Sequence, residues 1–261
     1  MAMYAAAGVE VTVVTMTGGE RGDILNPSVD GEQTRANLAQ IRRMEMERAR
    51  QILGVNQIWL GYADSGFQIG EPWVDLPDGS LAATDVRESA AKMADLIVEV
   101  RPHVLVTYDE GGGYPHPDHV MCHRVSMKAF SYAGDLDRYG ERAWVVPKVY
   151  YHMAFLRKRY LALTTAMERL GLTSPYAARL EGWVYDAMDH RVTTRVHCWE
   201  YFATRDQALK AHATQVDPSG WWFSVPLEVQ KAAWPTEDYE LVRSTAEVTL
   251  PETDLFAGIR E

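Results

Sequence analysis

Between residues 111 and 123 the chain reads GGGYPHPDHVMCH, which places Tyr114, His116, Asp118, His119 and His123 within ten positions behind three glycines. Histidine changes charge nearest neutral pH, so His116 and His119 on either side of Pro-Asp suit acid–base work, and a neutral imidazole is also a common zinc ligand. The spacing leaves both chemistries open, singly or together. His119 and His123 form an i, i+4 pair, which a helix would present on one face. The plain alternative is a polar helix start, with His116 near the cap and His123 simply solvated. Position favours function. The cluster follows the apolar run HVLVTYD (103–109), and ligands of open parallel sheets bind at the carboxyl ends of the strands, where glycines also allow close approach to the backbone. A catalytic zinc takes three protein ligands and keeps an open position, and no other HxxxH, HxH or HxxE with site-like surroundings occurs in the chain. His103 stands at the far end of its strand, while His152, His190, His197 and His212 are isolated. Asp118 is the nearest carboxylate and reads as a group that orients a histidine or caps the helix.

The elements that must position this cluster alternate. VEVTVVT (9–15) is β-branched and strand-like; residues 32–54 carry Leu38, Ile41, Ile52 and Leu53 at helical spacing and stop at Gly54. NQIWLGYAD (56–64) predicts a second strand, residues 84–102 a helix capped by Thr84, and 103–109 a third strand. Pro117 suits the first turn of the next helix, which runs to about Ala133. Repeated strand–helix–strand with apolar strands predicts an α/β fold, a Rossmann-like and mostly parallel sheet with helices on both faces. Residues 1–145 would form this core of a single domain and 146–261 a smaller C-terminal cap region, where the regularity weakens. The opening MAMYAAAG reads as a helix ending at a glycine, whereas parallel α/β domains usually open with a strand, so a first strand is expected to be missing.

Composition narrows the class of partner. The chain has 261 residues, 47% of them hydrophobic, with 26 basic against 36 acidic residues and a net charge of -10. That charge repels phosphate backbones and anionic lipid, which argues against nucleic-acid and membrane partners. No apolar run reaches the roughly 18 to 20 residues of a membrane span, and the start lacks a basic signal region, so a cytoplasmic location is expected. Cys122 and Cys198 are too few and too far apart for a Cys-rich zinc site or a disulfide framework. Nothing encodes an oligomeric state.

Taken with TMTGGERGDILNP (15–27), RRMEMERARQILGV (42–55) and WLGYADSG (59–66), the histidine cluster resembles the LmbE-like, or PIG-L, zinc-dependent deacetylase family, most of all its branch of mycothiol S-conjugate amidases. The resemblance runs the length of the chain. It implies His119 as a zinc ligand, His116 as the neighbouring donor that stabilises the oxyanion without binding metal, and Tyr114 as a mobile hydroxyl for the scissile carbonyl. It also implies Arg42, Asp64 and, less directly, Glu20 as groups that hold sugar and inositol hydroxyls. The cofactor would be Zn2+, with Fe2+ as the alternative, since a His/Asp site accepts several divalent ions. The substrate would be a small thiol-sugar conjugate, cleaved to a mercapturic acid and glucosaminyl-inositol. Trp221, Trp222 and Phe223 are candidates for the pocket of the sulfur substituent, or equally for packing. Family members begin with a strand and a His-Pro-Asp-Asp-Glu segment that supplies two further ligands and the general base. No such segment occurs here, so the cluster is expected to be half of a site. The alternatives are an N-acetylglucosaminyl-inositol deacetylase and an inactive sugar-binding remnant, which translation of the DNA upstream of the Met1 codon would help separate.

Overall fold

The computed structural model describes residues 1–182 and 186–259. In chain order its elements are α1 (Ala2–Ala6), β1 (Thr12–Thr17), α2 (Glu32–Ala36), α3 (Leu38–Leu53), β2 (Asn56–Tyr62), α4 (Val86–Val100), β3 (Val104–Thr107), α5 (Pro117–Ala133), α6 (Leu136–Tyr139), β4 (Lys148–His152), α7 (Arg157–Arg169), α8 (Ala177–Glu181), β5 (Thr194–His197), α9 (Phe202–Ala211), α10 (Leu227–Ala233) and β6 (Thr236–Ser244). The alternation read from the sequence holds through α5, and the architecture is α/β with mixed sheets. The predicted helix 32–54 is broken at Asn37 into α2 and α3. It ends at Gly54, whose φ of 69° is the left-handed C-terminal turn that a glycine allows. The cap of α4 is Asp85, which accepts the Arg87 N–H, and not Thr84. The Thr84 hydroxyl is occupied, since it donates to the Ser80 carbonyl at 3.0 Å.

Two compact units interleave along the chain: Met1–Gly61, Leu156–Asp186 and Cys198–Thr236 form the first, and Tyr62–Phe155, Ala187–His197 and Glu237–Glu261 the second. Residues 146–261, read as a cap, contribute to both. The first unit contains the paired strands β1 and β2 and the packing of α3 against α9. The second contains a four-stranded sheet of order β3-β4-β6-β5. The strands therefore form two sheets where one was expected, and the second is mixed: β3 and β4 run parallel, whereas β6 lies antiparallel on the other edge of β4. The sequence conceals β6 because its inward positions are polar, Thr236 and Asp238, so that the usual apolar alternation is absent.

Within the second unit α4 packs along α5. Ala90 and Ala94 on one helix and Ala129 and Ala133 on the other are buried and small enough for close approach, with Met93, Ile97, Met121 and Val125 filling the remaining space. Burial of each of the larger side chains contributes about 1.5–3 kcal/mol. This packing fixes α5, whose first turn carries the histidine cluster. No helix among the described residues is long and apolar enough to cross a membrane.

Candidate functional site

At the end of β3 the chain enters a glycine loop organised by Asp109. This buried carboxylate accepts the N–H groups of Gly111 and Gly113 at 2.9 and 3.0 Å, the short-range turn that aspartate favours before glycines. Gly112 has a φ of 76°, and a Cβ there would lie 2.7 Å from the His119 Cβ and 2.9 Å from the Val120 nitrogen. Only glycine brings the loop this close to α5. The contact has a chemical result: His119 Nδ1 lies 3.0 Å from the Gly112 carbonyl.

The two histidines of the cluster are set in opposite tautomers by backbone groups of fixed polarity. A carbonyl only accepts, so His119 carries its proton on Nδ1 and leaves a lone pair on Nε2. A backbone N–H only donates, and His116 Nδ1 receives the Asp118 N–H at 3.1 Å as the N-cap of α5. The neutral His116 ring therefore has its proton on Nε2. Burial, helped by the charge of His116 and opposed by the Gly112 hydrogen bond and the Asp64 charge, holds the His119 pKa down at about 4, so it is neutral at pH 7. Its ring is stacked on Tyr108 at 4.4 Å and meets the Tyr114 ring edge-on at 4.9 Å. His116 and His119 have ring centres 5.5 Å apart.

Carboxylates complete the cluster. Asp64 and Asp118 are buried, and with His116 they form a group whose ligand atoms all lie within 4.8 Å of one another, a set able to hold a metal ion. Asp118 accepts both the hydroxyl and the N–H of Ser65, while Asp64 accepts the Gly66 N–H at 2.8 Å. Ser65 thus joins the 64–66 turn to the first turn of α5. Burial and the nearby Asp64 charge raise the Asp118 carboxyl above the usual range, against the hydrogen bonds from Ser65. Burial, reinforced by the charges of Asp64 and Asp118, also raises the Tyr114 hydroxyl, which stays protonated as a donor. His123, the i+4 candidate, turns Nδ1 to the Tyr108 carbonyl at 3.0 Å and packs edge-on against Tyr151.

The structure thus brings together Asp64, Tyr114, His116 and His119. Two contributors escaped the sequence reading, Ser65 and Asp109; the Asp-Glu-Gly-Gly-Gly turn pattern could have revealed Asp109. Arg42 and Glu20 belong to the first unit and meet around the 18–23 loop there. Arg42 is 4% exposed, donating from Nη2 to the Gly22 and Asp23 carbonyls at 3.2 and 2.9 Å and from Nε to Thr214 Oγ1 at 3.4 Å. Glu45 accepts the Thr214 N–H and hydroxyl at 2.7 and 2.8 Å. The loop passes close over the guanidinium, since a Cβ at Gly22 would lie 2.8 Å from Nη1. Glu20 folds back so that its Oε2 lies 2.7 Å from where a Gly18 Cβ would be. Arg42 therefore braces a loop, whatever else it touches. Arg42→Ala is expected to lower folding stability by about 1.5–3 kcal/mol, because the loop carbonyls and Thr214 lose a buried charged donor, and Arg42→Lys to recover only part of it. Urea unfolding would read both.

Comparison with known proteins adds to this geometry. Residues 1–130 match the PIG-L model, described as GlcNAc-PI de-N-acetylase. Across its whole length the chain is 50% identical to the mycothiol S-conjugate amidase of Streptomyces coelicolor, covering 91% of that protein. It is 36% identical to the 1D-myo-inositol 2-acetamido-2-deoxy-alpha-D-glucopyranoside deacetylase 1 of Catenulispora acidiphila, over 99% of this chain and 83% of that one. Among solved structures, the N,N'-diacetylchitobiose deacetylase from Pyrococcus horikoshii superposes with a TM-score of 0.60 at 17% identity, covering 92% of this chain and 76% of the other. That likeness concerns the fold.

Proposed function

We propose, from the premise that the chain belongs to the PIG-L, or LmbE-like, family of amide hydrolases, that it cleaves the amide of mycothiol S-conjugates. The products would be a mercapturic acid and glucosaminyl-inositol, which makes the reaction a step of thiol detoxification. The observation that carries the reaction class is the opposed pair of tautomers, with a lone pair on His119 Nε2 and a proton on His116 Nε2. The choice of substrate rests on the higher identity to the amidase, 50% against 36% for the deacetylase.

His119 fits a divalent ion because its free Nε2 is backed by an Nδ1–H···O=C bond, the usual arrangement behind a metal-bound imidazole. The donor set of imidazole and carboxylate without thiolate suits Zn2+, with Fe2+ as the alternative. Such an ion, when bound, supplies Lewis acidity that brings the pKa of water to about 7. His119 is the assigned ligand. His116 is a poor ligand in this conformation, because Nε2 carries the proton and Nδ1 is filled by the Asp118 N–H. It serves instead as a neutral donor to the oxyanion that forms at the scissile carbon. A second proton on Nδ1 would displace the Asp118 N–H and open the cap of α5. Tyr114 O–H is the second donor, placed beside both histidines. Asp64, grouped with His116, is assigned to the hydroxyl-rich sugar-inositol part.

The test is direct. The purified chain, supplied with Zn2+ or Fe2+, is assayed side by side on a bimane conjugate of mycothiol and on N-acetylglucosaminyl-inositol. Faster cleavage of the conjugate is expected. Predominant acetate release would make the chain a deacetylase of the same family, and no turnover of either would favour a binding role.

A further inference from the structure

Immediately after the Asp64–Gly66 turn, residues 67–74 form a surface loop whose polar side chains are paired and on which three large apolar side chains stand in solvent. The Gln68 amide closes the loop, donating to the Val74 carbonyl at 2.8 Å and accepting the Val74 N–H at 3.0 Å. Glu71 receives two hydrogen bonds from Arg124 of α5, at 3.1 and 2.5 Å, and the same guanidinium lies 5.4 Å over the Trp73 ring. The loop is therefore braced. Yet Phe67, Ile69 and Val74 are 56%, 80% and 60% exposed. Three large apolar side chains left in water on one short, braced loop do nothing for folding, because their burial is what would stabilise the chain.

What gives the surface a meaning is where it begins. The Phe67 ring centre is 5.9 Å from that of Tyr114, nearly parallel at 24°, and 5.9 Å from that of His116. The apolar surface is thus continuous with the two side chains assigned to the oxyanion. A substrate carbonyl held by Tyr114 and His116 would place whatever is attached near it along Phe67. A sugar-inositol would gain nothing there, since its hydroxyls need polar partners. An alkyl or aryl group would.

We propose that Phe67, with Ile69 and Val74, forms the wall that receives an apolar substituent of the substrate and sets the preference for its size. The proposal rests on the amidase reading above, under which that substituent is the S-alkyl or S-aryl group of the conjugate. It places the substituent on this loop instead of on Trp221, Trp222 and Phe223.

The experiment uses mycothiol conjugates that differ only at sulfur, with S-methyl, S-benzyl and S-bimane groups, assayed on the wild type, Phe67→Ala, the double variant Phe67→Ala/Ile69→Ser, and Trp222→Ala. In the wild type kcat/KM is expected to rise roughly tenfold from methyl to benzyl, the size of effect that an apolar contact of this area produces. Phe67→Ala should remove most of that rise through KM and the double variant all of it, the loss being large for S-benzyl and small for S-methyl, with metal content unchanged; Trp222→Ala should leave the rise intact. A uniform loss across the series would mean that Phe67 acts only through Tyr114, and flattening by Trp222→Ala would move the pocket; either overturns the proposal. Binding of N-acetyl-S-benzylcysteine against N-acetyl-S-methylcysteine, followed by calorimetry, reads the wall without turnover. Failure of the amidase assay alone would sink the substrate reading, whereas equal affinities for the two cysteine derivatives would sink the wall. Sedimentation at rising concentration completes the set: self-association abolished by Phe67→Ala would show a subunit contact and overturn the proposal.

Discussion

His119→Ala is expected to strip the chain of stoichiometric divalent metal and to reduce turnover to background, whereas His116→Gln keeps the metal and loses about 10²- to 10³-fold in rate. The difference follows from the two backbone hydrogen bonds. His119 has its Nδ1 proton fixed by the Gly112 carbonyl, so its outward nitrogen is a Lewis base at any pH above about 4, the value to which burial holds it. His116 has its Nδ1 filled by the Asp118 N–H, so its outward nitrogen is a donor. The competing arrangement is the Asp64, His116 and Asp118 group, whose ligand atoms lie within 4.8 Å. It would require His116 to give up either its Nε2 proton or the Asp118 N–H that fills Nδ1. Metal analysis after dialysis separates the two. Metal lost from His116→Gln and retained by His119→Ala would reverse the assignment; equal metal in both would remove His119 from the ligand set. Gly112→Ala offers an independent check, because a Cβ 2.7 Å from that of His119 must push the loop away and release the Nδ1 bond. Its metal affinity should fall about 10- to 100-fold while His119 itself is intact.

What could be read in advance depended on whether a feature announces itself locally. Pro117 and the run that follows specify α5 to within a residue, since Pro at the first helical position and apolar residues at helical spacing act on neighbouring backbone. His116 and His119 were legible as a pair for the same reason. Their opposite tautomers were not, because these depend on Gly112 folding back over α5, seven residues upstream of the ring it contacts. Arg42 shows the other limit. On a helix wheel it is a solvated cation, yet it shares an inward stripe with Leu38, Glu45 and Ala49, and only the approach of the 18–23 loop and of Thr214 makes a buried charge there tolerable. The resemblance pointed to Arg42, but as a sugar-binding group; the brace is a tertiary fact. The sheets failed to be read as observed for a similar reason, since β6 hides its pairing behind inward polar residues.

Glu252→Gln is expected to destabilise the second unit by about 3–5 kcal/mol. Glu252 and Lys148 have side-chain exposures of 1% and 0%, and their charged ends meet at 2.5 Å. The carboxylate also accepts the Tyr150 hydroxyl at 2.8 Å and the Thr194 hydroxyl at 3.2 Å, while Lys148 donates to the Ala257 carbonyl at 2.9 Å. Backbone bonds from Arg195 N–H to the Glu252 carbonyl at 2.9 Å and from Glu252 N–H to Thr193 at 3.0 Å lay the C-terminal segment beside β5. The pair therefore fastens that segment to β4, the strand next to β3, which leads into the glycine loop. Removing one charge leaves the other buried without a partner. Lys148→Met should cost about as much, and the double variant Lys148→Met/Glu252→Gln should cost clearly less than the sum, because no uncompensated charge then remains. Urea unfolding followed by tryptophan fluorescence measures all three. Additive losses would show that the two charges are stabilised separately, by the hydroxyls and the Ala257 carbonyl, and that the ion pair itself holds nothing together.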